Sequence, residues 1–241
     1  TYSTEEYLRM IGVKTPTFVQ PTGIEYHKFQ DVQQEDIKKL RDRLELKDEK
    51  VFVSVSRLSN EKNIDFMIEA IDALRRETDV PFRFLMIGDG HQKDRLQKKI
   101  EDLGLQQHFT LVGAVPPDEM AIWYRLGDAF LFASISETQG MVILEAMAAG
   151  LPVVAVRSSG IEDVVRHGFN GFKTPEKQDQ WRAQVKKLLE DDELREKLSS
   201  QALEFAGDYS VEQFASDVRT IYGTTLAMYD KKRKGSVLRP E

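Results

Sequence analysis

The segment 129-AFLFASISETQGMVILEAMAAGLPVVAV-156 decides the fold. Its first five residues, 129–133, form a short apolar run that is typical of a buried strand. A polar loop follows, residues 141–149 fit an apolar helix, and 153–156 is a second apolar strand. Two strands that are apolar on both faces and are joined by a helix predict a parallel β-α-β unit.

The same alternation extends in both directions along the chain. Further strands are predicted at 17–20, 51–56, 82–87, 109–112 and 171–173. Further amphipathic helices are predicted at 33–45, 63–77, 91–103, 117–126 and 160–167, and the chain is helical after residue 176, at 176–190, 192–206 and 211–229. Because crossovers between parallel strands are right-handed, the pattern predicts an α/β fold with a doubly wound, Rossmann-like parallel sheet.

Composition narrows the function classes. The chain has 241 residues, of which 41% are hydrophobic and 31% charged, as in a soluble globular protein. The net charge of −6 argues against a nucleic-acid partner, which needs a positive surface. The absence of cysteine excludes disulfides and thiolate metal sites and is compatible with a reducing cytoplasm. No apolar run reaches the 18 or so residues that span a bilayer.

Breaks in the pattern divide the chain into four parts. Residues 1–20 read as a helix and a linker strand, and the run Gln20-Pro21-Thr22-Gly23 predicts a hinge. Residues 21–208 form the main domain, 209–230 a final helix, and 231–241 a basic tail that we expect to be frayed. Because Thr1 stands close to a predicted helix, we expect the natural protein to begin upstream.

Two cations follow the strand at 51–56. Arg57 and Lys62 lie on one strand-to-helix loop, and ligands of open α/β sheets bind beyond the carboxyl ends of the strands. Both side chains can face a diphosphate, the guanidinium as a two-pronged donor and the ammonium as a point charge. An ordinary solvated loop is the alternative reading.

The strand at 82–87 is followed by Gly88-Asp89-Gly90. Two glycines let the backbone approach a ligand, as in the dinucleotide fingerprint, but Lys93 occupies the position of the third glycine. A plain tight turn accounts equally for the motif, and the fingerprint is incomplete.

The loop and helix of the deciding segment hold the richest constellation. Gly140 opens the helix, so the amides of Gly140, Met141 and Val142 are predicted to bind an anion at its N-terminus. Glu137 precedes the helix and Glu145 lies inside it, where a carboxylate can accept bonds from paired ribose hydroxyls. The alternatives are a capping role for Glu137 and a surface position for Glu145, although its apolar neighbours disfavour the latter.

These residues resemble family 4 of the retaining glycosyltransferases. The resemblance is carried by the two glutamates with seven residues between them, by the following AMAAGLPVVA, by the Arg57–Asn63 loop, by 21-PTGIE-25 and by 159-SGIEDVVRHGFNGF-172. It implies the C-terminal, nucleotide-sugar-binding domain of a two-domain enzyme of GT-B architecture. Residues 1–12 then resemble the last helix of the N-terminal domain, and 211–229 the helix that crosses back to it.

The resemblance also implies roles. Arg57 and Lys62 neutralise the donor diphosphate and Glu145 holds the ribose. Glu137 positions the transferred sugar. The candidate catalytic residues are Arg57, Lys62 and Glu137. The base is expected near Val112 and Gly113, and the leaving phosphate deprotonates the acceptor on the front face of the sugar. The chain has no Asp-x-Asp pair and its four histidines are scattered, so no metal or other cofactor is predicted.

One position departs from many relatives, because Gln139 stands where they have phenylalanine. The run Glu137-Thr138-Gln139-Gly140 resembles the diacylglycerol glucosyltransferases of Gram-positive bacteria. This implies UDP-glucose as donor, diacylglycerol as acceptor, and a cytoplasmic enzyme peripheral to the inner face of the membrane. The basic residues 231–234 fit attraction to anionic lipid, and a solvated tail is the alternative.

Two other functions remain open. A GT-B-like epimerase would share the diphosphate site but needs acid–base carboxylates on both faces of the sugar. A non-catalytic nucleotide-binding module would not depend on Glu137. A dinucleotide oxidoreductase is disfavoured by the missing third glycine.

Overall fold

The computed structural model describes residues 1–237 and shows six parallel strands in one sheet. The strands are β1 (Lys50–Val55), β2 (Phe82–Ile87), β3 (Phe109–Gly113), β4 (Ala129–Phe132), β5 (Val153–Val156) and β6 (Gly171–Thr174). Their spatial order is β3-β2-β1-β4-β5-β6, and every neighbouring pair is parallel. The predicted doubly wound, Rossmann-like sheet is therefore confirmed.

Helices cover both faces of this sheet. They are α1 (Tyr2–Met10), α2 (Tyr26–Gln30), α3 (Gln34–Arg43), α4 (Ile64–Leu74), α5 (Lys93–Asp102), α6 (Met120–Arg125), α7 (Met141–Ala148), α8 (Ser159–Glu162), α9 (Gln178–Glu190), α10 (Asp192–Gly207) and α11 (Val211–Val237). Alternate strand residues enter opposite cores: Phe130 and Phe132 pack with α6 and α7, whereas Leu131 packs with α4 and α9. Burial on both faces explains why most strand residues are apolar.

Three local predictions are wrong. Residues 17–20 form no strand, because this linker has no neighbouring strand to pair with and instead runs along the surface. The helix expected at 160–167 is only the short α8, since turns begin directly after it. The basic run expected to be frayed continues α11 to Val237; the side chains of residues 231–237, and all of 238–241, lie outside what the structure describes.

Helix α2 was absent from the sequence prediction. It follows the hinge and is too short to show a helical period, yet it buries Phe29. Just before it, the amide of Ile24 donates to the carbonyl of Tyr209 at 2.8 Å, and the amide of Val211 donates to the carbonyl of Ile24 at 3.0 Å. The hinge and the start of α11 are therefore joined by main-chain hydrogen bonds.

The sheet reverses its winding between β1 and β4, the two central strands. Crevices at such a reversal are where open α/β sheets bind ligands. The loops leaving these strands touch here, because the carbonyl of Glu61 accepts the amide of Ile135 at 3.1 Å and the hydroxyl of Ser134 at 3.2 Å. The fold thus brings the Arg57–Lys62 loop against the loop that carries Glu137.

Candidate functional site

The two cations of the β1–α4 loop have different surroundings. Lys62 is 14% exposed and its ammonium lies 3.3 Å from a carboxylate oxygen of Glu137 and 5.8 Å from the ring centroid of Phe132. Arg57 is 79% exposed, and its guanidinium pairs with Glu61 on the same loop at 3.2 Å. Lys62 is therefore held inside the site, whereas Arg57 stands at its rim.

Glu137 is the centre of a dense set of contacts. One carboxylate oxygen faces Lys62, and the other accepts the amides of Thr138 at 3.1 Å and Gly140 at 3.3 Å. Its side chain is 16% exposed. Burial works to raise the pKa of Glu137, but Lys62 and these two amides outweigh it, so the pKa is lowered. Glu137 is accordingly ionised at neutral pH.

The tip of α7 begins at Gly140, whose φ of +64° is left-handed and favours glycine. The predicted anion site is altered in one respect, because the Gly140 amide is already bonded to Glu137. The amides of Met141 and Val142 begin the helix, where no preceding turn supplies carbonyl acceptors. These two amides and the positive end of α7 are what the tip offers to an anion.

Gln139 links this loop to the hinge. Its side-chain oxygen accepts the hydroxyl of Thr22 at 2.8 Å. Gln139 therefore contacts the hinge, through a hydrogen bond that a phenylalanine at this position could not accept.

Helix α8 packs directly on the Glu137 loop. The Glu137 carbonyl accepts the Gly160 amide at 2.9 Å and the Ser159 hydroxyl at 3.2 Å. A Cβ on Gly160 would lie 2.6 Å from that carbonyl oxygen, closer than packing allows. Glycine at 160 is thus required for α8 to cover the loop, and the start of the 159–172 segment contacts the site.

Glu145 lies one turn into α7 and is not a surface glutamate. It lines an open cavity of about 280 Å³ together with Lys28, Pro117 and Met141. One carboxylate oxygen accepts the hydroxyl of the fully buried Tyr124 at 2.9 Å. Burial raises the pKa of Glu145 despite opposing contributions from Tyr124 and Lys28. The pKa of Glu145 is therefore shifted in the opposite direction to that of Glu137.

The segment after β2 has a structural role. The Gly88 amide donates to the carbonyl of Gly113 at 2.8 Å, and the Leu58 amide donates to the carbonyl of Asp89 at 2.9 Å. The Gly88-Asp89-Gly90 motif is thus hydrogen-bonded to the end of β3 and to the loop that follows β1. Val112 and Gly113, the predicted base site, end β3 at the same edge of the sheet.

The structure therefore brings together Lys62, Glu137 and Gly140, and it places Met141 at both the helix tip and the Glu145 cavity. Arg57 points away from this network toward Glu61. Sequence reasoning missed Lys28 because α2 was not predicted. It also missed Tyr124, because no pattern in the sequence indicated that the hydroxyl of this buried residue reaches Glu145.

Comparison with known proteins identifies the architecture. The sequence profile of the glycosyl transferases group 1 matches residues 36–205. The chain is 33% identical over 214 residues to an alpha-monoglucosyldiacylglycerol synthase of Streptococcus pneumoniae, covering 87% of this chain and 47% of that protein. It is 30% identical over 220 residues to the synthase of the same name from Acholeplasma laidlawii, covering 89% of this chain and 53% of that protein. The chain thus spans about half the length of these curated relatives.

A solved structure agrees with these sequence matches. Anabaena HepE, in a crystal structure in complex with UDP-glucose, superposes with a TM-score of 0.81 at 26% identity, covering 92% of this chain and 61% of HepE. Fold and sequence therefore point to the same class of protein.

Proposed function

Since the chain belongs to the group 1 glycosyltransferase family, we propose that residues 21–208 bind UDP-glucose as the donor for a retaining glucosyl transfer. The acceptor we propose is diacylglycerol. The donor is supported by the UDP-glucose complex of HepE, and the acceptor by the names of the two synthases. The binding domain is the described sheet, with its site at the crevice between β1 and β4.

The observation that carries this proposal is the contact of Lys62 with Glu137 at the tip of α7, beside the cavity lined by Glu145. A cation and a helix N-terminus suit a diphosphate. A carboxylate in the adjoining cavity suits the ribose hydroxyls.

Binding of the donor then exchanges partners within the site. The charge of Lys62 is balanced by its ion pair with Glu137. A diphosphate offers Lys62 a second anion, with the amides of Met141 and Val142 as further donors and Arg57 at the rim. Glu137, relieved of part of this pairing, accepts hydrogen bonds from the hydroxyls of the glucose and orients its anomeric carbon.

The transfer step needs stabilisation of the leaving group. The bond between the anomeric carbon and the diphosphate oxygen breaks, and the acceptor hydroxyl bonds to the same carbon on the same face. Its proton passes to the leaving diphosphate, which departs as UDP. Lys62, Arg57 and the end of α7 stabilise the charge that develops on this diphosphate, and the proposal assigns no step to a metal or other cofactor.

Besides the donor and the acceptor, we propose a third partner, a domain of the same protein that precedes residue 21. Large apolar side chains are exposed on α1 and α11, among them Tyr7 at 56%, Met10 at 77% and Tyr222 at 68%. Apolar surface of this kind marks an interaction site. An N-terminal domain packed here would complete the cleft and supply the acceptor site.

A diacylglycerol acceptor requires access to lipid. No helix of residues 1–237 is both long and apolar enough to cross a bilayer. We propose peripheral attachment at the inner face of the cell membrane, where the basic run 231–234 would favour anionic lipid. The test is sedimentation with vesicles that contain or lack anionic lipid.

The experiment that tests donor binding is a thermal-shift panel. Ligands that bind only the folded state raise its apparent stability, so UDP and UDP-glucose should shift the midpoint more than GDP, ADP or their glucose conjugates. A larger shift with another base would contradict the donor assignment.

The reaction itself is tested with the two-domain enzyme that contains this chain. UDP-glucose and diacylglycerol should yield glucosyldiacylglycerol with the α-configuration retained. Interconversion of donor epimers without acceptor would favour an epimerase instead. Full activity of a Glu137→Gln variant would favour a module without a catalytic role.

A further inference from the structure

Tyr124 is a core residue with one functional end. Its ring is fully buried between Phe29 of α2, at 5.6 Å between centroids, and Phe130 of β4, at 5.8 Å. Its hydroxyl donates at 2.9 Å to Glu145, which lines the cavity. A buried phenol needs such a partner, and its rigid packing fixes where the hydroxyl points.

This contact determines how Glu145 presents itself to the cavity. The hydroxyl occupies Oε2, and among the residues that the structure describes no hydrogen bond is made to Oε1. The cavity is also lined by Lys28, whose ammonium is bonded to the carbonyl of Pro117 at 2.9 Å. Because the carboxylate of Glu145 is held by a hydrogen bond to one oxygen, its other oxygen faces a ligand in a defined direction.

Three neighbouring side chains and burial determine the pKa of Glu145. Burial raises the pKa of Glu145, the hydrogen bond from Tyr124 on α6 and the charge of Lys28 on α2 lower it, and the charge of Glu25 before α2 raises it. Burial, reinforced by Glu145, raises the pKa of Tyr124 well above its ordinary value, so its hydroxyl remains a donor. The phenol is thus one of two groups that support the ionised form of Glu145.

We propose that Tyr124 is a positioning residue for donor binding, holding the Glu145 carboxylate so that Oε1 meets the ribose hydroxyls of the nucleotide. This inference rests on the proposed function of Glu145. It assigns to a core residue on α6 a specific contribution to nucleotide affinity, exerted through Glu145 and without contact to the ligand.

The test is a double-mutant cycle with UDP, measured by calorimetry at several pH values. Tyr124→Phe keeps the ring and removes the hydroxyl, and we expect about fivefold to tenfold weaker binding, the scale of one lost hydrogen bond. Because Tyr124 acts through Glu145, the double variant Tyr124→Phe/Glu145→Ala should bind no more weakly than Glu145→Ala alone, since alanine leaves no group for the hydroxyl to hold. UDP affinity should fall as the pH is lowered and Glu145 becomes protonated. In Tyr124→Phe this fall should begin at a higher pH, because loss of the hydrogen bond raises the pKa of Glu145.

The matched control is Tyr26→Phe. Its hydroxyl donates to the main-chain carbonyl of Leu203 at 3.5 Å, away from Glu145, so UDP affinity and its pH profile should be unchanged. Additive losses in the cycle, or a Tyr124→Phe profile identical to that of the control, would overturn the inference while leaving donor binding intact. Absence of UDP binding by the unmodified chain would instead contradict the proposed function, and this inference with it.

Discussion

Glu137 and Glu145 belong to the same β4–α7 unit but lie in opposite environments. Glu137 meets a lysine ammonium and two main-chain amides, and its pKa is lowered. Glu145 meets a phenol hydroxyl inside a cavity, and burial raises its pKa. The charge of Glu137 is thus balanced by contacts within the protein, whereas the charge of Glu145 is not.

The difference separates two kinds of ligand contact. At Glu137 a ligand must compete for existing partners, so binding there is an exchange that suits a group needed only when the diphosphate is in place. At Glu145 a ligand supplies hydrogen bonds that the protein lacks, so binding there adds stabilisation to the folded state. A single helix thus carries one acid suited to positioning the sugar and one suited to anchoring the nucleotide.

The largest expected effect comes from Glu137→Gln. It removes the negative charge that orients the glucose, and we expect kcat for glucosyl transfer by the two-domain enzyme to fall on the order of 100-fold, as for loss of one preorganised electrostatic contact. The KM for UDP-glucose should change little, because Lys62 remains available to the diphosphate. Steady-state kinetics measures both.

A suitable control is Glu77→Gln. Glu77, just after α4, is also paired with a cation, Arg182 of α9 at 3.0 Å, and the proposed site uses neither residue. Its kinetics should match the unmodified enzyme. A Glu137→Gln enzyme with normal kcat and raised KM would place Glu137 in nucleotide binding and remove the contrast drawn above.

The second largest effect separates the two cations. Lys62→Gln should weaken UDP binding about 10-fold to 100-fold, the scale of a lost charge-assisted hydrogen bond. Arg57→Gln should weaken it less than about fivefold, as expected of an exposed ion pair. Calorimetry with both variants checks the order, and an equal or larger loss in Arg57→Gln would show that the exposed guanidinium swings in to dominate the diphosphate contact.

A third effect, comparable to the lower end expected for Lys62→Gln, is expected from Glu145→Gln, which should change two measured quantities in opposite directions. UDP affinity should fall about tenfold, because the ribose loses a charged acceptor. At pH 8 the thermal midpoint should rise by about 2–4 °C, equivalent to about 1 kcal/mol, because a buried charge is removed while the amide oxygen still accepts from Tyr124.

The pH dependence of that stabilisation follows from the raised pKa of Glu145. The folded protein holds this proton more tightly than the unfolded chain, so the stability that the group contributes is present at low pH and lost as pH rises through the folded pKa. The advantage of Glu145→Gln should therefore shrink as pH is lowered below that pKa. A variant that is less stable at every pH would mean that Glu145 is stabilised by partners in the folded protein.

The fold could be read from the sequence because its strands are buried on both faces. The run 153–156 is apolar at every position, the run 82–87 is apolar at every position but Arg83, and both appear as strands at those bounds. The linker 17–20 looks similar in composition, but a strand exists only where a neighbour pairs with it, and pairing is set by the whole topology. The five residues of α2 were missed because they span little more than one turn.

The site was predictable in its parts and less so in its contacts. Glu137, Lys62 and Gly140 share a loop cluster because strand order places β1 beside β4, which the β-α alternation implies. The pairing of Glu137 with Lys62, and the bond from Tyr124 to Glu145, depend on side-chain directions that spacing along the chain does not encode. For the same reason the sequence could not show that Arg57 is directed to Glu61.

A crystal structure of the chain with UDP-glucose tests the central claim most directly. We expect Lys62 and the amides of Met141 and Val142 on the diphosphate, Glu145 on the ribose hydroxyls, and Glu137 on the glucose. A nucleotide bound elsewhere on the sheet edge, or one that leaves Lys62 paired only with Glu137 and the Glu145 cavity empty, would contradict the account.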